Sequence, residues 1–289
     1  MTYSGAELAA LLAEAGIEPS RSLGQNFVVD PNTVRRIVRL AGVGPGERVV
    51  EVGAGLGSLT RALLDAGAEV TAVEIDRRLT PILRRRLEPE GVRVVEADAL
   101  RVDWPALLGE GGPPWRLVAN LPYNVGVPIV LTVLEQAPMV HDLVVMLQRE
   151  VAERLAARPG QKAYGAPSVK AAYWADAALL GTVPPSVFLP RPHVESALVH
   201  LVRRAPPPPA DRVERGWLFA LVEAGFGQRR KMLRRSLAGL ATDAQLLAAG
   251  VDPTDRAERL DLGAWARLAE AAAAGRGNPA PPPGRVGRR

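Results

Sequence analysis

The chain has 289 residues, 47% of them apolar, and 36 Lys or Arg against 31 Asp or Glu for a net charge of +5; that length suits a catalytic domain of about 200 residues plus a smaller one. It has no cysteine, which excludes disulfides, thiolate nucleophiles and cysteine-based zinc sites. Its three histidines, His141, His193 and His200, share no helical ligand spacing, so no metal is expected; with neither a signal peptide nor an apolar run of membrane-spanning length, a soluble, cytoplasmic chain with no membrane partner is expected.

A short arm and a helix, Ser4 to Ala15, open the chain. Arg48-Val-Val-Glu-Val-Gly-Ala-Gly-Leu-Gly-Ser58 then reads as a buried strand entering a glycine-rich turn, with a helix from Leu59 to Ala66. Gly53, Gly55 and Gly57 lack Cβ and tolerate positive φ, so backbone there can approach a ligand closely, as in dinucleotide-binding turns. Taken alone, such a turn is equally a tight strand-to-helix connection. The next strand, Glu69-Val-Thr-Ala-Val-Glu-Ile75, carries Glu74, 21 positions after Gly53, where an acidic residue grips a ribose diol. That pairing points to an adenosine-containing cofactor.

A third strand, Val92-Arg-Val-Val-Glu96, delivers Asp98 at its carboxyl end. Isolated, Glu74 and Asp98 are ordinary helix caps or solvated ends. Their recurrence after successive strands of an alternating strand-helix pattern places them in one crevice, since open α/β sheets bind ligands at the carboxyl ends of parallel strands.

The fourth strand ends in Val118-Ala-Asn-Leu-Pro-Tyr-Asn124. The exocyclic amine of adenine is a poor nucleophile because its lone pair is conjugated into the ring. The side-chain oxygen of Asn120 and the carbonyl of Leu121 can each accept one N–H and turn that lone pair outward, while Tyr123 stacks on the base. Pro122 lacks a donor and fixes φ, which helps hold the two acceptors. A strand followed by an ordinary proline turn fits the same four residues.

Alternation continues to about Leu147, after which Ser168 to Trp174 and Val194 to Val202 are expected as further strands. Gly160 to Gly165 is expected as a loop between a helix and a strand, its Lys162 and Tyr164 either substrate-facing or incidental. Ala205-Pro-Pro-Pro-Pro-Ala210 reads as a stiff linker. Beyond it, Arg212 to Ala274 reads as a small helical domain broken at Gly239, Gly250 and Pro253, and the tail from Gly275, rich in Gly, Pro and Arg, as disordered.

Between Arg203 and Ser236, nine Arg or Lys face three acids, an excess larger than that of the whole chain. A helix from Gln228 to Leu240 would set Met232, Leu233, Leu237 and Leu240 on one face and Arg230, Lys231, Arg234 and Arg235 on another. Such a cationic stripe is either a solvated face or a set of phosphate contacts. Arg229 falls on the apolar side and is expected to be tethered within the protein.

Together these segments resemble the small-subunit ribosomal RNA adenine dimethyltransferase family, the KsgA group. The resemblance covers nearly the whole chain and rests on Leu23-Gly-Gln-Asn-Phe27, Val50-Glu-Val-Gly-Ala-Gly-Leu-Gly57, Val73-Glu-Ile-Asp76, Asn120-Leu-Pro-Tyr-Asn124, Met146-Leu-Gln-Arg-Glu150, Lys162-Ala-Tyr-Gly165, Val183-Pro-Pro-Ser-Val-Phe188 and Phe226-Gly-Gln-Arg-Arg-Lys231. It implies an α/β fold: a Rossmann-like, class I S-adenosylmethionine-dependent methyltransferase with a seven-stranded sheet and a smaller C-terminal α-helical domain. In domain terms, 1–30 is an arm that closes over the cofactor, 31–204 the catalytic domain, 205–211 a linker, 212–274 an RNA-binding domain and 275–289 a tail.

The resemblance further implies transfer of two methyl groups from S-adenosylmethionine to N6 of each of two adjacent adenines near the 3′ end of the small-subunit (16S) rRNA during ribosome biogenesis, by a chain expected to be a monomer. Cofactor contacts carry over to Asn26, Val28, Gly53, Glu74, Asp98 and Asn120, with Gly55 in the same turn. Phe188 is implied to stack on the target base opposite Tyr123; without the resemblance it reads as a core aromatic.

Two departures stand out. Gly126 replaces a polar residue, often Ser, and Gly227 replaces an Asn. The alternatives are a large-subunit rRNA adenine methyltransferase conferring macrolide resistance, a DNA adenine methyltransferase, and a mainly non-catalytic ribosome-assembly factor. The leucine of Asn-Leu-Pro-Tyr, the Lys-Ala-Tyr-Gly loop and the Val-Pro-Pro-Ser-x-Phe segment weigh against the first.

Overall fold

In a computed structural model, described for residues 3, 5–20, 24–109, 111–204 and 214–274, the chain forms two compact units. One comprises 1–156 with 175–203, the other 157–174 with the chain from Arg204 onward. The stretch 157–174, expected inside the catalytic domain, thus belongs to the second unit. The whole proposed linker and the whole tail from Gly275 lie outside the described residues.

The first unit is a seven-stranded sheet flanked by helices. Strand β1 (Phe27–Val28) stands apart; the sheet uses β2 (Arg48–Val52), β3 (Glu69–Glu74), β4 (Arg93–Glu96), β5 (Trp115–Asn120), β6 (Val140–Gln148), β7 (Ala175–Val183) and β9 (Ser196–Arg203), with β8 (Phe188–Leu189) paired to β1. The order is β4-β3-β2-β5-β6-β9-β7, and only β9 runs antiparallel to its neighbours, as the family resemblance implies. Strands β2, β3, β5 and β6 are near-continuous apolar runs because helices cover both faces of a parallel sheet. Those of the first unit are α1 (Gly5–Glu14), α2 (Pro31–Leu40), α3 (Ser58–Asp65), α4 (Thr80–Leu87), α5 (Trp104–Leu108), α6 (Gly126–Gln136) and α7 (Arg149–Ala156).

Two details position the cleft. Asp30 caps α2 by accepting from the backbone N–H of Asn32 and Thr33, so the chain turns sharply after β1. Gly57, at φ 82°, makes the turn into α3 without a side-chain cap.

The second unit consists of α8 (Ala166–Trp174), α9 (Arg215–Gly227), α10 (Leu233–Ser236), α11 (Asp243–Ala248) and α12 (Leu262–Ala273). Its core gathers Val169, Tyr173, Trp217, Leu221, Leu233, Leu237, Trp265 and Leu268.

Three expectations are corrected here. Ser168 to Trp174 is helical, and the expected strand is the next segment, β7. Gly160 to Gly165 therefore joins two helices. The single helix over Gln228 to Leu240 does not form: α9 ends at Gly227, 228–232 turn, and α10 has four residues. The backbone N–H groups of Leu233 and Arg234 donate to Asp255 O (2.7 Å) and Pro253 O (3.0 Å), so a neighbouring loop takes donors that a continuous helix would have used. Met232, expected in the packed stripe, is 42% exposed.

Candidate active site

At the carboxyl ends of β2, β3, β4 and β5, a cleft of about 1140 Å³, counting solvent at its mouth, is walled by five segments: 24–28, 51–56 with Ser58 and Leu59, 73–75, 97–100 and 120–125 with Ile129. Ten of the residues singled out from sequence lie on this one wall: Asn26, Val28, Gly53, Gly55, Glu74, Asp98, Asn120, Leu121, Pro122 and Tyr123.

The segments are brought together by absent side-chain atoms. A Cβ on Gly53 would lie 3.4 Å from Pro122 Cδ, and one on Gly55 only 2.9 Å from the ring of Phe27. The glycine-rich turn therefore packs directly beneath both the Asn-Leu-Pro-Tyr segment and the arm. That arm is pinned on its other side, where Phe27 and Val28 pair with Leu189 and Phe188 and Val29 N–H donates to Val187 O at 2.8 Å. Gln25 adds a latch, donating to Asp76 Oδ2 at 2.8 Å.

Asn120 is the most constrained group. Its Nδ2 donates to the backbone carbonyl of Asn26 at 2.8 Å, which fixes the amide so that Oδ1 is presented as an acceptor. That Oδ1 is buried and has no partner. Such an atom costs free energy until a donor arrives, and its residue lines the cleft, as Tyr123 does. Ser58 Oγ on the same wall is likewise buried and unpartnered.

Two carboxylates lie deep in the cleft. Glu74 accepts from the N–H groups of Gly55 (2.8 Å), Ile75 (2.9 Å) and Asp76 (2.8 Å); burial raises its pKa more than those bonds lower it. Glu51, 2% exposed, accepts from Thr60 Oγ1 at 2.6 Å, and burial pushes it up to about 8. Both groups are stabilised as anions by a cation placed in the cleft. Asp76 is instead held down to about 2, chiefly by the Arg78 guanidinium. Asp98 is partly exposed, accepting from Leu100 N–H at 2.9 Å.

Phe188 does not join this wall. It is 4% exposed and packs in the core cluster with Val28, Val183 and Leu198. In the second unit Arg229 is tethered as expected, donating to Glu258 Oε2 (3.3 Å) and Lys162 O (2.6 Å), while Arg230, Lys231, Arg234 and Arg235 are exposed. Tyr164 is not substrate-facing: it is 3% exposed and donates to Leu260 O at 2.8 Å.

Sequence reasoning missed Glu51, Ser58 and Ser196. A carboxylate inside the apolar run Val49-Val50-Glu51-Val52 was a usable signal for the first. Ser196 Oγ lies 2.5 Å from the Tyr123 hydroxyl across 73 positions of sequence, a pairing that carries no local signature.

A seven-stranded sheet with one reversed strand, a glycine-rich turn after its first parallel strand and acids after the next two define a class I S-adenosylmethionine-dependent methyltransferase. A family model described as ribosomal RNA adenine dimethylase matches residues 18–274. The chain is 49% identical over 282 residues to a ribosomal RNA small subunit methyltransferase A of Cutibacterium acnes, covering 93% of each chain. It is 52% identical over 275 residues to a protein of the same name from Leifsonia xyli, covering 91% of this chain and 96% of that one. Among solved structures, the 23S rRNA methyltransferase ErmE superposes with a TM-score of 0.63 at 29% identity, covering 86% of this chain and 99% of that one. A dimethyladenosine transferase from Plasmodium falciparum gives 0.66 at 22% identity, covering 83% and 94%, a likeness of fold. The chain belongs to the ribosomal RNA adenine dimethylase family, and its methyl donor is S-adenosylmethionine. The cleft fits that cofactor: it offers buried carboxylates to a cationic ligand and an orphaned acceptor beside an aromatic ring.

Proposed function

We propose that the protein dimethylates N6 of two adjacent adenosines near the 3′ end of the small-subunit 16S rRNA during ribosome biogenesis. The observation that carries this reading is the buried, partnerless Asn120 Oδ1, held in the cleft by the Asn26 carbonyl. The names of the relatives, at about 50% identity, favour the small subunit over the large.

S-adenosylmethionine, when bound, supplies an electrophilic methyl group on a sulfonium. Asn26, Val28, Gly53, Gly55, Glu74, Asp98 and Asn120 would hold it. Asn120 Oδ1 and the Leu121 carbonyl accept hydrogen bonds from N6–H and turn the lone pair out of the ring, while Pro122 keeps the two acceptors in register. Tyr123 stacks on the base. No strong base is needed: the acceptors stabilise positive charge developing on N6, and the proton leaves to water once the N–C bond has formed. Because the monomethylated amine re-enters, space beside Asn120 and Tyr123 must admit one methyl group. Arg230, Lys231, Arg234 and Arg235 contact RNA phosphates. We take the protein to act as a monomer in the cytoplasm, where a ribosomal-particle substrate is met; among the described residues no helix is long and apolar enough to cross a membrane.

The test supplies labelled S-adenosylmethionine with unmethylated small subunits, large subunits and DNA in parallel, and maps the label by primer extension. Label on paired adenines near the small-subunit 3′ end, lost in Asn120→Ala, is expected. Label on the large subunit, or equal labelling by Asn120→Ala, refutes the reading.

A further inference from the structure

Tyr123 lies three residues beyond the end of β5, yet its hydroxyl is bonded to a residue two strands away. In the order β5-β6-β9, Ser196 is the first residue of β9, opposite Gln148 at the end of β6 and Val183 at the end of β7. The phenol therefore reaches past the end of β6, and its oxygen meets Ser196 Oγ at 2.5 Å. Ser196 is 0% exposed and sits in full ladder register on both sides, so it has no freedom to follow the ring. Burial raises the Tyr123 pKa while the serine bond lowers it, with burial the larger cause, so the phenol stays neutral and can donate.

We infer that Ser196 is a positioning residue for methyl transfer: its hydroxyl fixes the tilt of the Tyr123 ring and thereby the room beside N6. This rests on the reading of Tyr123 as the platform for the target base. A tyrosine ring swings about two side-chain torsions, of which the outer is broad. Backbone packing at 120–124 anchors one end of the side chain, and the serine anchors the other. A ring free to tilt still offers a stacking face, but it no longer holds a fixed gap between its plane and Asn120 Oδ1. The first methyl group tolerates that looseness. The second, which must share the gap with a methyl already on N6, does not.

The experiment compares Tyr123→Phe, Ser196→Ala, their double mutant and Tyr123→Ala on unmethylated small subunits, measuring both transfer steps and the ratio of monomethyl to dimethyl adenine. Cofactor binding by calorimetry serves as the control for folding. Expected is an equal slowing of the second step in Tyr123→Phe and Ser196→Ala, about five-fold, the effect of losing one ordinary hydrogen bond. Monomethyl product should accumulate and the KM for S-adenosylmethionine should not change. The double mutant should be no slower than either single, because each removes the same bond. A wild-type rate and product ratio in Tyr123→Phe, or losses that multiply in the double mutant, overturn the inference. If Tyr123→Ala alone is inactive while Tyr123→Phe and Ser196→Ala match wild type, only the hydrogen-bond role falls; if Tyr123→Ala retains full activity, the platform reading itself falls. Should Ser196→Ala fail to fold, Tyr123→Phe still decides, since it leaves the strand untouched.

Discussion

Gly126→Ser is the substitution on which simple helix rules and the structure disagree. Gly126 opens α6, whose start has no side-chain cap, and Ser is the residue the family resemblance leads one to expect there. By the capping rule a serine at the N-cap adds about 0.5–1 kcal/mol, but Val125 holds that position and Gly126 is the first helical residue, so a serine at 126 gains at most part of it. Yet a Cβ built on Gly126 falls 2.2 Å from Leu147 Cδ2 and 3.5 Å from Leu121 Cβ, and Leu147 is 1% exposed, with no space to retreat into. Overpacking of a closed core costs roughly 1–3 kcal/mol, so crowding outweighs the cap. Gly126→Ser should lose about 1–2 kcal/mol, which for a domain near this size is roughly 2–8 °C in Tm. The decisive comparison is made in a Leu147→Ala background. Leu147→Ala alone should cost about 2–5 kcal/mol through the cavity it leaves. With the leucine gone, adding Gly126→Ser should now stabilise, because the new atoms enter the vacated volume. Thermal unfolding of the four proteins reads the coupling directly. A Gly126→Ser protein more stable than wild type, or one equally harmful in both backgrounds, would refute the packing argument.

Glu51 should make apoprotein stability pH-dependent: an acid of pKa near 4.5 unfolded and about 8 folded contributes fully below the unfolded value, and that contribution is lost as pH rises toward 8. Glu51→Gln, which keeps an acceptor for Thr60, should flatten the stability profile between those limits by an amount on the order of a few kcal/mol, measured by denaturant unfolding without cofactor; an unchanged slope would count against a buried proton. Gly55→Ala places a Cβ 2.9 Å from the Phe27 ring at φ +60°, so cofactor affinity by calorimetry should fall about tenfold or more, and unaltered affinity would mean that the arm does not need that contact. Arg230→Ala and Lys231→Ala should each lower the slope of log affinity for small-subunit RNA against log salt by about 1. Arg229→Ala should instead lower the melting temperature, since its guanidinium is spent on Glu258 and the Lys162 carbonyl.

The cleft was legible in sequence because its chemistry is written in short segments that each end a strand. Gly53, Glu74, Asp98 and Asn120 follow four parallel strands, and parallel register alone carries their side chains to one end of the sheet. What depends on tertiary pairing was not legible. Ala175–Val183, with its alanines and leucines, has little strand character of its own; it is a strand because β9 pairs with it along its length, with one irregularity between Leu179 and Gly181, which outweighs weak local preference. The preceding Ser168 to Trp174, with Val169, Tyr173 and Trp174, looked like the strand, and it is helical with Val169 and Tyr173 in the core of the second unit. Likewise the amphipathic pattern after Gly227 was real, but the donors of Leu233 and Arg234 were claimed by Asp255 and Pro253.

Phe188 shows how the same limit bears on function. The motif locates the residue, yet its neighbours decide its work. Residues 187–189 form a short ladder with 27–29, and that ladder seats Phe27 over Gly55 and places the Asn26 carbonyl where it can hold the Asn120 amide. The Pro-Ser-Val-Phe segment thus bears on the Asn120 amide through the arm, with Phe188 buried beneath it. Asn120 Oδ1 is oriented by a bond 94 residues away in sequence and Tyr123 by one 73 residues away. Both halves of the Asn-Leu-Pro-Tyr segment are therefore aimed by elements that lie outside it, which is why a four-residue signature identifies the chemistry but cannot by itself set the geometry of two successive transfers.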